Sequence, residues 1–156
     1  MTAVVVGTGY TGLRLLHRLP PTEVLGLSRS LPTASGGREI RSLQLDDTLG
    51  DIELPDAARL VYTVPPATDV DHDRRLEAFL AALTNPPARI AYLSTTGVYG
   101  DHAGGMVSED TPVSPRSTRA GRRVAAEEAL QRFGDATGTG ITILRVPGIY
   151  GPDRLM

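Results

Sequence analysis

The residues Gly7-Thr8-Gly9-Tyr10-Thr11-Gly12 form a G-x-G-x-x-G where a β-branched run, Ala3 to Val6, gives way to a segment rich in leucine. In that setting the first glycine permits a tight turn and the second lets backbone approach a pyrophosphate. The third lets helix and strand pack closely, while the helix N-terminal amides meet the phosphate charge. The motif points to dinucleotide binding, the alternative being a bare structural turn. About twenty residues on, a site selecting the ribose hydroxyls of NAD presents an acid; this chain presents Ser28-Arg29-Ser30. A planar guanidinium flanked by two hydroxyls suits a ribose 2′-phosphate, so NADP is expected ahead of NAD, against the alternative of a solvated loop arginine. Asp46 can accept a hydrogen bond from an adenine amino group, or cap a turn beside Asp47.

A second group of side chains able to do chemistry is Ser94-Thr95-Thr96-Gly97-Val98-Tyr99-Gly100. Its hydroxyls can bond a substrate carbonyl or hydroxyl at the end of a strand, or cap backbone groups in a turn. Among the three histidines, His17 reads as a surface or helix-packing residue. His72 stands between Asp71 and Asp73, but consecutive residues point in different directions around a helix, so no metal site is expected.

The elements that must position these groups follow from the apolar pattern. Strands are expected at 3–6, 23–27, 40–45, 59–64, 89–93 and 141–145, and helices at 11–19, 69–83 and 117–133. The stretch 46–58 is too short and too rich in Asp and Pro for a helix. Strands alternating with helices imply an α/β fold, a doubly wound parallel sheet of the Rossmann type in a single domain.

Composition narrows the chemistry. At 156 residues the chain is one domain long and buries roughly two-thirds of its unfolded surface. All 16 basic residues are arginine, which excludes Schiff-base and P-loop lysine chemistry. Zero cysteines exclude disulfides, thiolate nucleophiles and cysteine-ligated zinc. With 18 acidic residues and a formal net charge of -2, neither a nucleic-acid partner nor a membrane is expected. The N-terminus lacks a signal-peptide pattern and no apolar stretch spans a bilayer, so a cytoplasmic protein with a small-molecule substrate, or none, is the expectation.

Four motifs taken together carry a resemblance: the glycine turn with tyrosine inside it, Val61-Tyr62-Thr63-Val64-Pro65-Pro66, Ser94 to Gly100, and Leu144-Arg145-Val146-Pro147-Gly148-Ile149-Tyr150-Gly151-Pro152. In this order they resemble the extended or atypical short-chain dehydrogenase/reductases, the NAD-dependent epimerase/dehydratase family. The resemblance implies an NAD(P)-binding Rossmann domain over 1–145. It also implies Thr95 at a catalytic Ser/Thr position, Val64 and Pro65 near the cofactor ribose, and Pro147, Gly148 and Ile149 beside the nicotinamide.

Two departures stand against it. The family's Tyr-x-x-x-Lys pair, aligned through Glu127, falls on Arg119 and Arg123. Arg123 can still hydrogen-bond a ribose, but Arg119 cannot donate a proton near neutral pH. Arg119, Arg122 and Arg123 are equally consistent with a solvated basic face. Tyr99, Tyr150 and His102 are the nearby replacements for the missing acid. The second departure is length: residues 146–156 read as the start of a truncated substrate-binding region. Open readings are therefore an NADP-dependent oxidoreductase or epimerase-like enzyme, a non-catalytic dinucleotide-binding or sensor module, and a site for another adenine dinucleotide such as a flavin. An open cleft and sheet edge favour a homo-oligomer or a protein partner.

Overall fold

The computed structural model describes residues 2–32, 35–45, 49–68 and 71–154. Six parallel strands, β1 (Ala3–Val6), β2 (Val24–Ser28), β3 (Glu39–Ser42), β4 (Arg59–Tyr62), β5 (Arg89–Thr95) and β6 (Gly140–Val146), form one sheet in the order β3-β2-β1-β4-β5-β6. With α1 (Tyr10–Arg18), α2 (Arg74–Ala82) and α3 (Thr118–Thr137) this is a single-domain Rossmann fold. The order reverses between β1 and β4, so the crevice for a ligand opens at the carboxyl end of β1.

β1 and β2 are central and apolar on both faces, and every residue of β2 is buried. Gly26 in β2 is closely packed, since a Cβ there would lie 3.2 Å from Leu16 Cδ1 and 3.1 Å from Ile40 Cγ1. Leu16 thereby reaches Val5 and Val24 on the α1 side of the sheet. The larger core lies on the other side, where Leu76, Phe79 and Leu80 of α2 and Ala126 and Leu130 of α3 cover Leu60, Tyr62, Ile90 and Tyr92. β5 shows the asymmetry: Ile90, Tyr92 and Ser94 are buried while Ala91, Leu93 and Thr95, pointing the other way, are half-buried. Edge strand β3 is polar and exposed except at Ile40, which blunts it against pairing with other chains.

Element ends differ from the periodicity in informative places. β3 stops at Ser42 and β4 at Tyr62, although Leu43, Leu45 and Val64 continue the apolar run; those residues leave the ladder and line the cleft instead. α2 begins at Arg74 because the carboxylate of Asp73 accepts from the Leu76 amide and caps it there; Asp69, its expected start, lies outside the described residues. α3 runs on to Thr137 and ends at Gly138, whose φ of 76° is left-handed. Residues 49–58 form no helix, and Ile52 makes an isolated bridge with Leu83.

Candidate functional site

The turn after β1 is drawn tight by the sequence around it. Gly7 has φ of 91° and Gly12 packs against it so closely that a Cβ at Gly12 would lie 1.8 Å from the Gly7 carbonyl oxygen. Thr63, following β4, fixes the same turn by donating to the Gly7 carbonyl at 2.8 Å. At Gly9 a Cβ would meet nothing within 4 Å, leaving the backbone open to approach. Gly9 is also the N-cap of α1, with no side chain capping it and no acid in the first turn. The first amides of α1 therefore have no partner within the helix and are available to an anion.

These groups form one end of a cleft of about 500 Å³. Gly7, Thr8 and Gly9 lie beside Ser28, Arg29 and Ser30 from the end of β2, with Leu43, Gln44 and Leu45 after β3. Thr63, Val64 and Pro65 after β4 and Arg75 on the first turn of α2 complete the lining. The Thr8 hydroxyl donates to Ser28 Oγ at 2.5 Å and Ser28 in turn donates to the Ser30 carbonyl at 2.9 Å. Ser28 thus shapes the loop that presents Arg29, and its hydroxyl proton is committed within the protein. Among the described lining residues there are two arginines and no carboxylate; Asp46 lies outside the described residues. Cleft, glycine turn and open helix terminus together fit the adenosine and pyrophosphate of a dinucleotide.

Other expected site residues lie elsewhere. The Tyr10 hydroxyl donates to the Pro152 carbonyl at 3.0 Å, and Arg14 donates to the same oxygen while stacking 3.6 Å over the Tyr10 ring. Its side chain therefore holds the turn Gly151 to Arg154 onto α1. Thr11 is half-buried within α1. Pro147 and Gly148 are exposed and Ile149 half-buried just past β6, outside the cleft lining. Arg123 spans from α3 to β5, where Nη1 donates to Tyr92 Oη and to the Leu93 carbonyl, both at 2.8 Å. It is a clasp between helix and sheet. Arg119, one turn earlier, is exposed, and Arg122 donates to the Thr68 carbonyl at 3.1 Å.

At the end of β5 the hydroxyls divide. Ser94 is buried and bonded to Glu127, whereas Thr95 Oγ1 accepts from the Gly97 amide at 3.2 Å. That bond uses a lone pair only, so the Thr95 proton remains available to a substrate oxygen. Tyr99 is 6% exposed and its hydroxyl accepts from Arg145 Nη1 at 3.1 Å. Arg145 also forms a forked ion pair with Glu127, at 2.7 Å from Nη2 to Oε2, which holds its guanidinium charged. Tyr99 and Arg145 line a second hollow of about 520 Å³ with Ser108 and Glu109, at the β6 edge. The His102 ring lies 3.1 Å from the Tyr99 carbonyl, and Tyr150 is 73% exposed. His72 pairs with Glu77 at 3.6 Å on the surface, and no cluster of three metal-ligating side chains occurs among the described residues.

Beneath the site lies a buried polar seam that the sequence did not announce. Burial pushes the Tyr92 phenol up to about 12, against the pull of Arg123, and lifts Tyr62 well above its ordinary value, with the nearby Asp73 charge adding to it. The Asp73 carboxyl is raised as well, again by burial. Tyr62 Oη and Asp73 Oδ2 make no hydrogen bond among the described residues. Sequence reasoning also missed Thr63 and Arg75. Thr63 stands in the motif Val61-Tyr62-Thr63-Val64-Pro65-Pro66, while Arg75 falls inside the helix expected over 69–83, where no motif marks it.

The model of the NAD dependent epimerase/dehydratase family matches residues 68–156. The chain belongs to this family. Protein YeeZ of Escherichia coli (strain K12) is 32% identical over 169 residues, covering 96% of this chain and 59% of YeeZ. The chain thus spans 59% of the length of that curated relative. A functionally unknown conserved protein from Silicibacter pomeroyi DSS is 30% identical, with a TM-score of 0.71 over 98% of this chain and 55% of that one. UDP-glucuronic acid 4-epimerase from Bacillus cereus in complex with NAD superposes with a TM-score of 0.72 at 19% identity, over 97% of this chain and 57% of that one; at that identity it shows the shared fold. The Rossmann architecture is therefore shared with these solved structures.

Proposed function

We propose that the chain binds NADP(H) in the cleft at the end of β1 and serves hydride-transfer chemistry, of oxidoreductase or epimerase type, on a small hydroxyl or carbonyl compound such as a sugar derivative. The observation that carries this reading is that Arg29 lines the same cleft as Gly7 and Gly9, in the place where an NAD site presents an acid. Bound there, the nicotinamide would accept or deliver hydride. The first amides of α1 would hold the pyrophosphate, and Arg29 a 2′-phosphate. Thr95 would donate its free proton to the substrate oxygen and orient it. A protein of this composition, with no helix among the described residues long and apolar enough to cross a membrane, suits the cytoplasm.

A second reading starts from what the family resemblance implies: the position of its proton-donating tyrosine falls on Arg119, which is exposed and always charged. On that reading the chain binds the dinucleotide without turning it over. Substrate-dependent NADPH oxidation over a panel of aldehydes, ketones and nucleotide sugars separates the two. The enzyme reading expects turnover that Thr95→Ala lowers at least a hundredfold with NADPH affinity unchanged. A silent panel, or full activity in Thr95→Ala, supports the non-catalytic reading instead.

A further inference from the structure

Two guanidinium groups line the cleft from either side of β1. Arg29 follows β2, and Arg75 stands in the first turn of α2, which follows β4. β1 lies between β2 and β4 in the sheet, so the two cations flank the Gly7 turn. Elsewhere in the molecule arginines facing carboxylates are paired, as Arg41 with Glu39 at 2.6 Å and Arg145 with Glu127 at 2.7 Å. In the cleft no described lining residue is acidic. Asp73 senses the Arg75 charge, but its carboxylate is 1% exposed and accepts from the Leu76 amide beneath the helix. No hydrogen bond or ion pair is made by either guanidinium of Arg29 or Arg75 among the described residues.

Arg75 is half-buried and Arg29 exposed at the cleft wall; two guanidinium groups with no protein acceptor among the described residues are complementary to an anion of higher charge than a single pyrophosphate. The pyrophosphate already has the first amides of α1. Leu27, Leu43, Leu45 and Val64 supply an apolar slot of the kind an adenine ring fills. What remains for two arginines is a further phosphate, whose charge of about -1.5 to -2 at neutral pH matches theirs.

We propose that Arg75 is a second specificity-determining residue, which with Arg29 grips the 2′-phosphate of an adenosine seated between them. This rests on the NADP reading above and adds to it a residue from a different element. Because α2 is capped by Asp73, Arg75 is held on a rigid first turn and contributes without having to order a loop.

The test uses the adenosine end of the ligand alone. Adenosine 2′,5′-bisphosphate and 5′-AMP are titrated by calorimetry into the wild-type chain, Arg75→Met, Arg75→Lys and Arg29→Gln. The wild type should prefer the bisphosphate. Arg75→Met should weaken the bisphosphate about tenfold and 5′-AMP less than twofold, with Arg75→Lys between. Equal weakening of both ligands would put Arg75 on the adenine or the 5′-phosphate and overturn the inference, as would no weakening of either. Preference that survives Arg75→Met and is lost in Arg29→Gln also overturns it, and leaves the NADP reading standing. A wild type with no preference for the bisphosphate overturns that reading, and the inference with it. Should Arg75→Met melt several degrees early, Arg75→Lys decides, since it keeps the stem and the charge but not the planar fork: a loss of bisphosphate affinity severalfold is expected, and none would contradict it.

Discussion

Arg29 and Arg123 are chemically identical side chains with opposite employment. Arg29 is exposed and lines the cleft, whereas both acceptors of Arg123 Nη1 belong to β5. Charge alone could not separate them: what distinguishes Arg29 is the absence of a protein acceptor among the described residues, and that is a property of the folded neighbourhood. Arg29→Gln keeps a polar side chain of similar reach and removes the charge. It should weaken NADPH about tenfold while NADH changes less than twofold, measured by direct titration. Equal losses for both nucleotides would assign Arg29 to the shared part of the ligand. Thr95 and Tyr99 divide in the same way, one with a free proton and the other buried against Arg145.

At the scale of elements, the glycine turn and the helix it opens were legible because their function and their packing need the same residues. Gly7 and Gly12 are forced by contact with Thr63 and with each other, and a dinucleotide site requires that same tight turn. The ends of β3 and β4 were not legible, because Leu43, Leu45 and Val64 are as apolar as strand residues yet serve as cleft lining. The start of α2 rests on one side chain. Asp73 caps the helix through Oδ1 while Oδ2 is buried without a partner among the described residues. Asp73→Ala should cost about 1 kcal/mol and lower the melting temperature by roughly 2–4 °C. Asp73→Asn, which keeps the cap without the buried charge, should melt at or above the wild type. The folded-state Asp73 carboxyl titrates above its ordinary 3.8, so the stability it contributes is complete below that value and lost as pH rises through the folded pKa. The advantage of Asp73→Asn should accordingly grow from pH 4 upward. An Asp73→Asn deficit of several degrees that opens only as pH rises above about 4 would instead show that the carboxylate is needed charged.

Over the whole molecule, the alternation of strands and helices was sufficient to read a doubly wound parallel sheet, since right-handed crossovers leave few other topologies. The uneven covering of that sheet was not readable: α2 and α3 seal one side, while Leu93 and Thr95 on the other are only half-buried and Leu144 of β6 is 44% exposed. Family membership follows from the match over residues 68–156, and the three-dimensional site adds what membership leaves open, a cleft lined by two arginines and no described acid. The account turns on that cleft, and equilibrium titration of the purified chain with NADPH and NADH, followed by nicotinamide fluorescence, tests it most directly. NADPH should bind at least tenfold more tightly than NADH. Binding of NADH as tight as that of NADPH, or binding of neither at millimolar concentration, would contradict it.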